Sequence, residues 1–307
     1  MKKCSLILLA YLISNPICAQ ENTTKSSWEI GGTSRLNFSQ VSLTNWAAGG
    51  QNSISLNSLA SFHAYKSKGN GRWENFLEIG YGIVKLDQQS WIKTDDRIDF
   101  TSKYGHKASQ KWNYAALLNF KTQMTDGYNY PNDSLKISSF FAPAYFLESF
   151  GMEYIAISHF SAYISPVTLK ATIVGNQDLA NIGAFGVEAA ERDLQGNIIR
   201  KGENIRTEFG GYLRLYYDNN IFQNIGLKTK LELFSNYLDN PQNVDINWEV
   251  LLSLKVNKYI SASLSTQLIY DHDIDIATDT NNDGIYETFG PEIQFKEVLG
   301  LGLTYTF

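Results

Sequence analysis

The residues best suited to chemistry lie in four places. Asp279, Asn281 and Asp283 alternate along the run Asp279-Thr280-Asn281-Asn282-Asp283-Gly284, and Glu287 follows. Oxygen donors at alternate positions, with a glycine for the bend, open a calcium loop, so these four residues are candidate calcium ligands. Gly290 stands where the closing bidentate Glu of a complete loop would be, so a solvated acidic loop is the plainer reading. His159 and Ser161 stand two apart in an alternating segment, on one face, as a base and a hydroxyl that would need to approach to about 3 Å. Asp95-Asp96 and Asp271-His272-Asp273 cap two such segments, where a His beside acids could activate water. In the run Asn45–Ser53, Gly49-Gly50 allows close backbone approach, and Trp46 would serve as a constriction plug or, more plainly, as an interfacial anchor.

The elements that must position these residues are strands. Twelve segments alternate apolar and polar side chains at period two: 28–39, 53–65, 72–85, 96–108, 112–125, 137–150, 154–165, 205–218, 222–237, 244–257, 260–271 and 293–307. In the tenth, Val244, Ile246, Trp248, Val250, Leu252 and Leu254 oppose Asp245, Asn247, Glu249, Ser253 and Lys255. The last, IQFKEVLGLGLTYTF, ends on Phe307 and looks like the closing strand of a bacterial outer-membrane barrel. Links between segments alternate short and long, as in barrels with short periplasmic turns and longer external loops. The segments are longer than ordinary soluble strands of about five or six residues, and exceed the roughly 9–11 residues a tilted strand needs to cross hydrocarbon. The expectation is an all-β chain, a single antiparallel transmembrane β-barrel of twelve strands over residues 28–307. A soluble β-sandwich is the competing fold that period alone leaves open.

Targeting fits this. Met1-Lys2-Lys3, the apolar run 4–13 and the site Ile17-Cys18-Ala19 form a signal peptide over residues 1–19, with cleavage before Gln20. Residues 20–27 are a polar leader. Both cysteines, Cys4 and Cys18, fall in the signal, so the mature chain has no disulfide or thiolate site. The formal charge is −5, and losing Lys2 and Lys3 makes it more acidic, which argues against a nucleic-acid partner. The 18 Tyr, 17 Phe and 6 Trp suit aromatic girdles at two interfaces. The expected site is the outer membrane, both termini periplasmic, with lipid as the surrounding partner and an envelope lipoprotein or another barrel subunit as a possible protein partner.

With polar faces inward, the lumen would receive Glu29, Arg35, Glu74, Glu78, Asp99, Lys103, Lys121, Glu148, Arg206, Glu208, Arg214, Lys228, Lys230, Glu232, Asp245, Glu249, Lys255, Asp271 and Lys296. The signs nearly balance, whereas a strongly selective pore would carry rings of one sign. Paired charges bracing the interior are expected, with a narrow polar pathway as the alternative.

Three resemblances bear on function. His159-Phe160-Ser161 resembles the H-x-S pair of a twelve-stranded outer-membrane phospholipase, but Ala162-Tyr163-Ile164 replaces that family's Asn-Gly-Arg. The acidic and His residues at the segment ends resemble the rim of omptin-type proteases. The runs SLTNWAAGGQNSISLNS (Ser42–Ser58), NFLEIGYGIVK (Asn75–Lys85), KTDDR (Lys93–Arg97), FKTQM (Phe120–Met124), ISPVTLKATIV (Ile164–Val174), AFGVEA (Ala184–Ala189) and the closing strand resemble an exported Bacteroidota family catalogued as domain of unknown function 3078. That resemblance implies an outer-membrane barrel and carries over no catalytic residue or substrate. The expected function is passive small-solute passage or an envelope-assembly scaffold. The alternative is a hydrolase, phospholipase- or protease-like, at the wall or external rim.

Overall fold

The computed structural model describes residues 28–43, 51–87, 89–130, 132–278 and 288–307. The signal and leader, Thr44–Gly50 with Trp46, and Asp279–Glu287 lie outside the described residues.

Period-two alternation cannot satisfy both faces of a flat sheet in one solvent, and the chain resolves this by closing on itself. Twelve strands form one closed barrel: β1 Glu29–Val41, β2 Ser53–Lys68, β3 Gly71–Leu86, β4 Ile92–Lys107, β5 Trp112–Thr122, β6 Ala144–Ile157, β7 Phe160–Ile173, β8 Ile205–Phe222, β9 Ile225–Asn236, β10 Val244–Lys255, β11 Ile260–Tyr270 and β12 Gln294–Thr306. Each strand pairs antiparallel with its neighbour in sequence, and β12 returns to β1. Closure gives the ladder no free outer edge. Links at one end are tight: Gly69-Asn70, with Gly69 at φ +58°, Ser158-His159 and Gln223-Asn224. At the other end residues 123–143 and 174–204 form large loops. They pack together through Ala142, Val174, Leu179, Ala180 and Val187, a small apolar core of their own.

The seam is uneven. β1 and β12 share a register only from Thr33↔Thr306 to Asn37↔Gly302, extended by two bonds between Gly32 and Phe307, whereas β1 pairs β2 along its whole length.

Two strands sit elsewhere than the sequence predicts. The sixth runs over Ala144–Ile157, not 137–150, and the seventh over Phe160–Ile173, not 154–165. Gly151, expected in a turn, lies inside β6 at a bulge opposite Pro166. A Cβ there would sit 2.1 Å from the Ile164 carbonyl oxygen, so glycine serves close wall-to-wall approach rather than a turn. Pro166 has no N–H to give the ladder, and the extra residue there reverses which face each later side chain takes. Asn219 and Asn220 likewise extend β8 instead of turning it.

The outside of the barrel is oily. Leu299, Leu301 and Leu303 are 74%, 60% and 59% exposed, beside Leu36 and Phe38 across the seam. Exposed aromatic side chains ring both ends: Trp73, Tyr104, Trp112, Tyr114, Tyr259 and Tyr305 toward the tight turns, and Trp91, Phe209, Tyr237, Trp248, Phe289 and Phe295 toward the long loops. No helix is long and apolar enough to cross a membrane, among the described residues.

Candidate functional site

Alternation sends the polar half of each strand inward, and closure brings those halves face to face. On β9, Leu227, Leu231 and Leu233 point out while Lys228, Lys230 and Glu232 point in. The opposite wall, β3 to β5, offers Glu78, Arg97, Asp99 and Lys121. Charges in a space this narrow are desolvated, so each needs a partner.

The middle of the lumen is bridged from wall to wall. Lys228 Nζ reaches Glu78 at 2.7 Å, and Lys230 Nζ lies 3.2 Å from Asp99 and 3.1 Å from Glu249. Lys121 Nζ meets Glu232 at 2.7 Å. Arg97 spans Glu78 at 3.6 Å and Glu249 at 3.7 Å. Neutral groups complete the lattice: Tyr212 donates its hydroxyl to Glu232 at 2.7 Å, and the Asn119 amide donates to Asp99 at 2.6 Å. Tyr163, Tyr212, Leu117, Ala115 and Phe234 pack beside this network, a buried cluster inside the barrel.

Two further storeys flank it. Toward the long loops, Lys170 lies 2.6 Å from Asp245, 3.3 Å from Glu208 and 3.5 Å from Asp271, with the Phe234 ring beneath it. Arg206 pairs with Glu208 and with Asp273, both at 3.1 Å. The long 174–204 loop reaches down here, since a Cβ on Gly186 would meet the Arg206 guanidinium and the Asp273 carbonyl. Toward the tight turns, Lys103 joins Glu74 at 2.6 Å and Glu153 at 2.5 Å, and Arg72 closes on Glu74.

The bridges fill the side of the lumen between β3–β5 and β9–β10. The β1, β2, β11 and β12 side keeps a cavity of about 40 Å³, room for roughly three waters. Amides and hydroxyls of Asn37, Asn57, Gln267, Ser263 and Ser265 line it, together with Arg35, Arg97, Lys296, Asp95 and Glu249. Lys296 pairs with Asp95 at 2.9 Å. Arg35 donates to the Ser253 hydroxyl at 3.3 Å, and no carboxylate lies within ion-pair distance of it among the described residues.

The candidates named from sequence fare differently. Asp279, Asn281, Asp283 and Glu287 lie outside the described residues; the ribbon Asp275–Thr278 with Thr288–Pro291 carries them. Among the described residues no group of three or more His, Cys, Asp or Glu is placed to hold a metal ion. His159 sits in the β6–β7 turn rather than in a strand, with its Nε2 3.2 Å from Ser158, not joined to Ser161. Asp96 accepts from the Met124 and Thr125 amides, the Thr125 hydroxyl and Lys93, which anchors the loop after β5. Asp95 and Asp271 are paired as described, and His272 contacts the Tyr270 hydroxyl at 3.3 Å. These rim acids are structural.

Most of the lumen list holds, with one correction. Glu148 pairs in register with Leu118 and Leu169 and points outward, exposed between Phe146 and Phe150. Misplacing β6 by seven residues hides both this and the inward Glu153. The inward residues Arg97, Lys170 and Arg72 were also missing; Arg97 shares the parity of Asp99 and Lys103, a signal the sequence already contained.

A family model described as Protein of unknown function (DUF3078) matches residues 38–128. The match takes in the NWAAGGQNS, NFLEIGYGIVK, KTDDR and FKTQM runs and stops before β6. No curated protein matches the chain. Similar solved structures include an outer membrane channel from Pseudomonas putida F1 (12% identity, 91% of this chain and 94% of that one, TM-score 0.40). The NanC porin (11% identity, 90% and 99%, TM-score 0.37) and the translocator domain of autotransporter NalP from Neisseria meningitidis (10%, 93% and 90%, TM-score 0.33) are others. At those scores the likeness adds nothing to what the strand pairing shows.

Proposed function

We propose that this chain is an outer-membrane barrel that passes small polar solutes passively along the more sparsely bridged side of an ion-paired lumen. The observation that carries it is the asymmetry of the interior: dense wall-to-wall ion pairs on one side, and on the other a cavity of polar and a few apolar side chains that Lys296–Asp95 crosses. The apolar exterior between two aromatic rings supports a bilayer setting, because a band of this extent is not stable facing water. Tight turns, the start of β1 and the end of β12 at one end support a periplasmic placement of that end, after export directed by residues 1–19. A cavity of that volume restricts traffic to water-sized solutes and small ions unless the Arg97 bridge, with contacts of 3.6 and 3.7 Å, parts.

The scaffold reading draws on a separate observation. The 123–143 and 174–204 loops share a buried core and so present a preformed surface to an envelope partner. For hydrolysis, the His159–Ser161 pair and the rim acids offer no support in this geometry.

Reconstitution into planar bilayers tests the passage reading. Small, discrete current steps are expected from wild type, and larger ones from Arg97→Ala. A folded, inserted barrel that gives no steps in either form would leave the scaffold role standing instead.

A further inference from the structure

The lumen's charges do not all cancel. A tight ion pair is nearly a dipole whose field dies quickly, so an unpaired charge sets the sign of the potential that a solute meets. Along the open side the cavity wall carries three cations, Arg35, Arg97 and Lys296, against two anions, Asp95 and Glu249. Lys296 is matched to Asp95, and Arg97 to Glu249 and Glu78. Arg35 has a neutral hydrogen-bond partner, the Ser253 hydroxyl, while Glu78, already shared by Lys228 and Arg97, and Asp218 act on it only from beyond ion-pair distance. Arg214 also lacks a carboxylate within ion-pair distance among the described residues, but it packs over the Tyr216 ring and does not line the cavity.

We propose that the cavity beside Arg35 is a small-anion site and that it makes the lumen anion-selective. Arg35 lines the cavity, and a guanidinium is a group that suits halide and single oxyanion ligands. Asn37 and Asn57, which pair across β1 and β2 in register with Arg35 and Leu59, supply amide groups on the same wall. Lys296 and Arg97 stand farther toward the long-loop end, so cations recur along the path and give an anion successive places to rest. The site is an exchange point rather than a trap, since one charge without a direct ion-pair partner, partly offset by distant carboxylates, attracts an ion without holding it tightly.

This rests on the passage reading, and one experiment separates the two. The reversal potential of the reconstituted full chain is measured across a KCl gradient for wild type, Arg35→Gln and Lys201→Gln, an exposed loop lysine serving as the charge-matched control. Wild type and Lys201→Gln are expected to favour chloride over potassium. Arg35→Gln should lower that preference roughly tenfold, since one charge about 6 Å from the path in a water-like medium shifts each ion about threefold and in opposite directions. Titrating inorganic phosphate into symmetric KCl should block wild-type current and spare Arg35→Gln. Current that favours potassium, or a preference unchanged in Arg35→Gln, overturns the anion site while leaving passage intact. Absence of current from barrels shown to be folded by heat-modifiable mobility overturns both.

Discussion

At the scale of single residues, the interior depends on Lys230. Its ammonium lies among Asp99, Glu249 and Glu232 with little solvent, and each of these acids has further partners. Removing it leaves buried carboxylates facing one another, and breaking a buried pair from one side costs about 3–5 kcal/mol. Lys230→Met is therefore expected to lower the unfolding midpoint in urea with lipid vesicles by a corresponding amount, whereas Lys201→Met should not. Pairing of this kind was legible as near-balance in composition, but the partners were not. Glu78 and Lys228 are 150 positions apart in sequence, and nothing short of closure says that they meet. Glu148 shows the opposite failure. Its polar side chain suggests the lumen, yet register places it outside, and acidic residues on a lipid face are tolerated at modest cost.

At the scale of elements, regular strands were readable and the irregular pair was not. β10 and β11 keep the alternation almost throughout, with Leu251, Thr266 and Ile269 the departures, so their bounds and faces agree with the sequence pattern. β6 and β7 contain Gly151 and Pro166, residue types that ordinarily signal turns, and here they mark facing bulges instead. Apolar Ile137, Phe140 and Phe141, which suggest a strand start, lie in the loop, where Phe141 packs against Phe120 with centroids 5.6 Å apart. The seam depends on glycine. A Cβ at Gly302 would lie 2.0 Å from the Leu36 carbonyl oxygen, within the short stretch where β1 and β12 pair. Gly302→Val is expected to abolish the heat-modifiable compact form on gels. Gly290→Val, where a Cβ meets open space, should keep it.

At the scale of the whole molecule, two solvents explain one alternation. The outward half of the strands is mostly apolar and exposed, the inward half is mostly polar and paired around one apolar cluster, and the ladder between them closes on itself. That arrangement is stable only if hydrocarbon bathes the outside, since water there would face a continuous oily belt. Cys4 and Cys18 are the only cysteines and both fall in the proposed signal, so single-cysteine variants of the chain without residues 1–19 report cleanly on their surroundings. The deciding measurement is labelling of Leu301→Cys by a membrane-impermeant maleimide in intact outer-membrane vesicles, with Lys201→Cys as the exposed reference. The lipid-facing account expects Leu301→Cys to stay unlabelled until detergent or urea removes the bilayer, while Lys201→Cys labels at once. Equal and immediate labelling of both would contradict it.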